Sequence, residues 1–257
     1  MPDFQALTLH RPAPHVAIVR LNRPEKHNAL NAKLSSELID CLDALEADDE
    51  VRVIVLTGSG EKAFCAGADM AEATSAEGGS ASGGSGAPAG PAQAAARLLR
   101  VRKPVIAAVN GYAYGGGAVL AINCDIRIAS ENARFRFVGA SYGLVVGASQ
   151  LPRIVGASVA KELIFTARSV DAAEALRIGL ANYVVPLEQL EATVLTMARA
   201  IAENSPTAVR ASKEVIDMAT SSKDAGRREL EHNAELRQSS EHQERFREAA
   251  RRVTGDK

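Results

Sequence analysis

The sequence predicts an α/β protein built on a largely parallel sheet, and three observations carry that prediction. The runs VRVIVL at 51–56 and VIAAV at 105–109 are near-continuous apolar stretches rich in β-branched residues. Such runs suit strands buried on both faces. Strand-like and helix-like stretches alternate through the first half of the chain, as in βαβ units with right-handed crossovers. Beyond residue 155 the apolar residues recur at helical spacing, so a helical region completes the chain.

Each element has its own signal. HVAIVRL at 15–21 is the first strand. Asn31 has the side chain of a helix cap, and the stripe Leu34, Leu38, Leu42 and Leu45 follows it at i, i+4 spacing with a final i, i+3 step. The 51–56 and 105–109 runs are the next strands, and DIRIA at 125–129 is a fourth. Residues 75–92, SAEGGSASGGSGAPAGPA, hold nothing that builds a core and predict a mobile loop beside the preceding glycine turn. Helices are predicted over 158–166, 171–178, 187–202 and 206–219, with a short strand at 184–185. The tail from Lys223 is dense in Arg and Glu. Its apolar minority, including Leu230, Ala234, Phe246 and Ala250, suits a helix packing one narrow face, on another subunit or on its own domain. The division that follows is a core over 1–200 and a C-terminal helical region over 201–257.

Composition narrows the function. A formal net charge of -1 and 4% aromatic residues with no Trp argue against nucleic acid or an anionic membrane surface as partner. No apolar stretch approaches the ~18 residues of a membrane span, and the N-terminal residues carry no basic region before an apolar run. A cytoplasmic location is expected. Cys41, Cys65 and Cys124 are widely spaced and form no metal pattern; they read as buried thiols in a reducing compartment.

Two glycine turns follow strand-like runs: TGSGEKAFCAGADM after 51–56, and NGYAYGGGAVL after 105–109. Neither has the G-x-x-x-x-G-K-[ST] spacing of a P-loop nor a dinucleotide-binding fingerprint. As a pair they offer backbone N–H groups from two parallel strand ends, the geometry of a two-donor oxyanion hole. The same glycines also serve tight turns and close helix packing.

LNRPEKHNALN (21–31), VIVLTGSGEKAFCAGADM (53–70), KPVIAAVNGYAYGGG (103–117), CDIRIAS (124–130) and LPRIVG (151–156) together resemble the crotonase superfamily, the enoyl-CoA hydratase/isomerase family. Order and spacing agree from about residue 15 to 220. The resemblance implies a crotonase-like spiral of ββα/βαβ units. It implies an acyl-CoA thioester whose carbonyl accepts hydrogen bonds from the N–H groups of Ala68 and Gly116. It also implies coenzyme A contacts near Lys26, His27 and Ala29, along the run Ala66, Ala68, Asp69 and Met70, and at Gly115 and Gly116. Coenzyme A would enter as part of the substrate, with no permanent cofactor and no metal. A homotrimer or a dimer of trimers is implied as well, with the 201–257 helices as its oligomerisation region.

The chain departs from the family pattern at two positions. The glutamate of G-G-G-x-E is Val119 here, and the ungapped match puts Gly139 at the glutamate of F-x-x-P-E. Hydration needs a carboxylate to activate water and an acid to protonate the α-carbon, and neither residue can serve. The implied chemistry is therefore isomerisation, cleavage or another enolate reaction rather than efficient hydration. A non-catalytic acyl-CoA binder is the alternative. Tyr114 immediately precedes the triple glycine, and Ser141 and Tyr142 lie just after the second slot; Tyr114 and Tyr142 are speculative proton-transfer groups. No HExxH or G-x-S-x-G motif is present.

Overall fold

A hairpin opens the fold. Strand β1 (Leu7–Ala13) pairs antiparallel with β2 (Val16–Leu21) across a turn in which His15 takes a left-handed φ of 64°. The computed structural model describes residues 4–75 and 90–254. β1 escaped the sequence reading because only Leu7 of LTLHRPA is fully buried, and its later residues face solvent. Helix α1 (Ala32–Ala47) begins at the predicted cap, where Asn31 Oδ1 accepts the Leu34 N–H at 2.9 Å. Its stripe of Leu34, Leu38, Leu42 and Leu45 is buried, and truncating one such leucine to alanine costs about 2–5 kcal/mol.

Strand β3 (Val53–Gly58) starts two residues later than the apolar run. The Val51 N–H closes a turn onto the Asp48 carbonyl, so pairing with β2 begins at Val53 opposite Val16. Next come β4 (Ala63–Cys65), α2 (Met70–Ser75) and α3 (Pro91–Leu99). Of the segment expected as a loop over 75–92, Ser75 ends α2 and Pro91 opens α3; residues 76–89 lie outside the described residues. Proline suits that first helical position because its missing N–H would have no partner there.

Strand β5 (Val105–Val109) matches the prediction, and β6 (Tyr112–Tyr114) and α4 (Gly116–Asn123) follow. Strand β7 (Ile126–Ser130) excludes Asp125, whose carboxylate accepts the Val105 N–H at 2.7 Å and pairs with the Lys213 ammonium at 2.8 Å. Strand β8 (Arg134–Arg136) buries Phe135 between two outward arginines. After a 3-10 turn at Ala140–Tyr142 come α5 (Leu151–Val155), α6 (Ala157–Thr166), β9 (Ser169–Asp171) and α7 (Ala172–Arg177). The chain ends with β10 (Tyr183–Val185), α8 (Leu187–Ala202) and α9 (Pro206–Thr220), then α10 (Lys223–Arg237) and α11 (Ser240–Thr254). The tail is thus two helices broken at Gln238 and Ser239, where one was expected.

Two sheets organise these elements. The six-stranded sheet runs β1-β2-β3-β5-β7-β10, parallel from β2 onward; the four-stranded sheet runs β4-β6-β8-β9, with only β9 antiparallel. Each central strand of the large sheet turns a corner into a strand of the small one: β3 into β4, β5 into β6, β7 into β8. Buried asparagines staple two corners. Asn110 accepts the Gly58 N–H at 3.2 Å and donates to the Gly60 carbonyl at 2.7 Å, while Asn28 donates to the carbonyls of Ser59 and Ala63. One face of the large sheet packs Val53, Val55, Ile106 and Ile128 against Leu190, Val194 and Ala198 of α8; Ile54, Leu56 and Val105 face the other core, with α1 and α4. Burial on both faces is why these strands read as unbroken apolar runs.

Candidate active site

The corners bring the two glycine turns together. The first lies beyond β4, where the Leu30 N–H donates to the Gly67 carbonyl at 2.7 Å and the Asp69 N–H donates to the Leu30 carbonyl at 2.9 Å. Ala68 sits between these bonds, exposed, and its own N–H has no partner among the described residues. Beyond β6 the Gly115 N–H is committed to the Arg136 carbonyl at 2.9 Å, and Gly115 has φ 51° and ψ -117°. Gly116 then opens α4, half-buried, with its N–H unpartnered among the described residues, as expected of a first helical position.

The turns touch backbone to backbone. A Cβ added to Gly67 would lie 3.2 Å from the Gly116 nitrogen and 2.8 Å from the Tyr114 carbonyl oxygen, and one added to Gly116 would lie 3.8 Å from the Ala68 nitrogen. Gly67 also has φ +95°, a conformation that side chains other than glycine's disfavour. Two accessible N–H groups, one at a helix N-terminus, therefore share one small region. Such a region favours a developing negative charge.

Arg23 holds this region in place, and the sequence reading missed it. Its guanidinium donates to the Ala29 carbonyl at 2.6 Å and to the Asp69 carboxylate at 2.9 Å. The Ala66 N–H donates to the His27 carbonyl at 3.0 Å, so segment 23–30 is bonded along the length of the Ala66-to-Asp69 turn. Burial raises the Asp69 pKa, but the Arg23 hydrogen bond and charge, with N–H bonds from Glu72 and Ala71, outweigh it and hold the carboxyl below its ordinary value. The opposite charges of NRP and CAGAD were visible in the sequence; their contact is made only by the fold. Lys26 and His27 are exposed, and His27 takes φ 50°. Ala29 is buried.

The other expected residues are arranged differently. The Tyr114 and Tyr112 rings pack on each other with centroids 5.3 Å apart and planes tilted by 33°. The Ser141 hydroxyl donates to the Val138 carbonyl at 2.7 Å. Val119 is half-buried against the main core. Gly139 is crowded: an added Cβ would lie 2.8 Å from Val146 Cβ. The Tyr142 ring meets Phe246 edge-on at 6.3 Å, and the Tyr142 carbonyl bonds His242 Nδ1 at 2.6 Å.

His242 is part of a larger clamp that sequence patterns did not reveal. Glu229 accepts the Gly147 and Ser149 N–H groups at 2.8 and 2.7 Å, and Asn233 bonds both the N–H and the carbonyl of Val145. Helix α11 packs on both α2 and the 140–142 turn. The tail thus lies across the segments that follow the Ala68 turn and Gly139.

Comparison with known proteins fits this arrangement. A sequence profile described as enoyl-CoA hydratase/isomerase matches residues 13–253, a span that includes both glycine turns and the clamp. The chain belongs to the enoyl-CoA hydratase/isomerase family. It is 45% identical over 205 residues to the short-chain-enoyl-CoA hydratase of Clostridium acetobutylicum, covering 79% of this chain and 77% of that one. It is 42% identical over 202 residues to the crotonyl-CoA hydratase of Syntrophomonas wolfei, covering 77% and 76%. Among solved structures, an enoyl-CoA hydratase/isomerase from Pseudoalteromonas atlantica superposes with a TM-score of 0.84 at 31% identity over 98% of both chains. A monofunctional enoyl CoA isomerase from M. smegmatis superposes at 0.69 with 36% identity, over 84% of this chain and 93% of that one. Membership of the enoyl-CoA hydratase/isomerase family accounts for the paired sheets and the helical C-terminal region.

Proposed function

We propose that the protein is an enzyme acting on an acyl-CoA thioester, with the N–H groups of Ala68 and Gly116 holding the thioester oxygen as an enolate forms. The observation that carries the reading is the contact between the two turns, which leaves both donors accessible and unpartnered among the described residues. Lys26, His27 and the Ala66-to-Met70 run then serve coenzyme A, which arrives with the substrate. Val119 is apolar, and Gly139 has no space for a side chain unless Val146 moves. Two-carboxylate hydration is therefore disfavoured, and an isomerase or lyase reaction of the enolate is the better assignment. Cytoplasmic acyl-CoA metabolism by a trimer or hexamer, with a 1–200 core and a 201–257 helical region, completes the proposal.

The test is a panel of enoyl-, dienoyl- and β-ketoacyl-CoA thioesters given to the parent and to Gly116→Pro. At least one thioester is expected to turn over, with kcat about 10²–10³-fold lower in the variant and binding retained, because one donor to the oxyanion is gone. The reading fails if no thioester turns over, or if Gly116→Pro turns one over with the parent's kcat.

A second reading rests on Val119 and Gly139. With no carboxylate in either slot, the site would hold an acyl-CoA without transforming it. Calorimetry would then show tight binding while mass spectrometry shows an unchanged ligand, and sustained turnover would sink this alternative.

A further inference from the structure

A cavity of about 190 Å³ lies at the opposite ends of the strands from the glycine turns. It opens where β3 and β5 begin and is closed by the corner between α8 and α9. Three cationic side chains line it: Arg52, Lys103 and Arg210. Lys103 is buried, and its ammonium donates to the carbonyls of Leu45 and Asp48 at 2.7 and 2.6 Å. That leaves one of its three N–H donors uncommitted. Arg52 spends one donor on the Ala202 carbonyl at 2.9 Å. The Arg210 side chain makes no hydrogen bond or ion pair among the described residues.

The acidic groups nearby do not balance these cations. Glu46 is engaged by Arg97 and Arg102, and Asp48 is paired with Arg11. Asp49 alone lines the cavity as an anion. Burial lowers the Lys103 pKa; the carboxylates of Glu46, Asp48 and Asp49 oppose that shift, and the positive charge of Arg210 adds to it. The lining itself therefore carries three cations against the one carboxylate of Asp49, and Lys103 and Arg210 repel each other. The remaining walls, including Ile201, Val209 and Pro104, are apolar.

We propose that this cavity is a binding site for a small carboxylate with a short aliphatic body. The carboxylate would meet the Arg52 and Arg210 guanidiniums and the free Lys103 N–H, with charge-assisted hydrogen bonds as the main source of affinity. The aliphatic body would lie on Ile201 and Val209. The site is remote from the glycine turns, and the proposal stands independently of the acyl-CoA reading.

Butyrate is the probe, titrated into the full-length protein by calorimetry, with inorganic phosphate as comparator. Saturable butyrate binding is expected, weakened at least about tenfold in Arg210→Glu and by a smaller factor in Arg52→Gln. Arg210 is exposed and unpaired among the described residues, so its variant is expected to fold, as circular dichroism will report. Butyrate binding should persist when the protein is saturated with butyryl-CoA. The proposal is overturned if butyrate does not bind saturably, if Arg210→Glu binds it like the parent, or if butyryl-CoA displaces it. Phosphate binding more tightly than butyrate would overturn the carboxylate assignment.

Discussion

At Gly117 an added Cβ would sit 1.9 Å from the Cys65 carbonyl oxygen, inside its van der Waals envelope. The obstacle is backbone, so the contact cannot be relieved by a rotamer change. Gly117→Ala is expected to destabilise the protein by about 3 kcal/mol or more in urea denaturation, at the upper end of overpacking effects. Gly226, within α10, meets nothing within 4 Å. Gly226→Ala should stabilise by about 0.5–1 kcal/mol, the ordinary gain from replacing glycine in a helix. The Asp69 carboxyl gives a pH-dependent case. Its folded pKa is depressed, so its stabilising contribution is complete above the usual aspartate value of about 3.9 and is lost as pH falls through the lower folded value. Thermal unfolding of Asp69→Asn should therefore trail the parent by a constant margin from about pH 5 to 8, and the margin should shrink below about pH 4. The glycines were legible in sequence as a pattern, but their necessity was not. A triple glycine does not say which carbonyl it must clear.

At the scale of elements, long periodic segments were readable, and of the three-residue strands among the described residues β10 was expected, at 184–185, while the others were not. Helix α8 was predicted with its observed bounds because its buried positions Leu190, Val194, Ala198 and Ala202 repeat every four residues. Strand β5 was legible because both of its faces are buried. Strands β4, β6, β8 and β9 have only three residues each, too few for a period of two to emerge. They form the second sheet, and that sheet's corners set the glycine turns in contact. The clamp from α10 was also hidden, since Glu229 and Asn233 look like ordinary polar positions on a charged helix. Glu229→Gln keeps one acceptor and loses the charge shared between the Gly147 and Ser149 N–H groups. It is expected to cost about 1–2 kcal/mol, within the range for hydrogen bonds to charged groups. Amide exchange at 147 and 149 should accelerate by a comparable factor, and unchanged exchange would show that the clamp contributes nothing.

For the whole molecule, α9 stands out because it buries none of its residues within the chain. Val215, Ile216 and Met218 are each at least 60% exposed, and Leu230 of α10 is 69% exposed. Three large apolar side chains exposed within one turn of α9 mark an interaction surface. In the proposed trimer this face is the contact, and the double variant Val215→Glu, Met218→Glu should elute as a monomer in light-scattering chromatography with its unfolding still cooperative. A parent that is itself monomeric at high concentration would refute the assignment. The tail's apolar minority left open whether it packs on a partner or at home; α11 packs at home, on α2 and the 140–142 turn. That arrangement has a consequence for how the protein is made. The bonds from Glu229, Asn233 and His242 to the 142–149 backbone span 80 to 100 residues of sequence. Contacts so distant form late, and during synthesis the N-terminal portion emerges first. A nascent chain would hold both glycine turns before it holds the clamp, so the helices that finish the wall beside the site would leave the ribosome only after the donors they border.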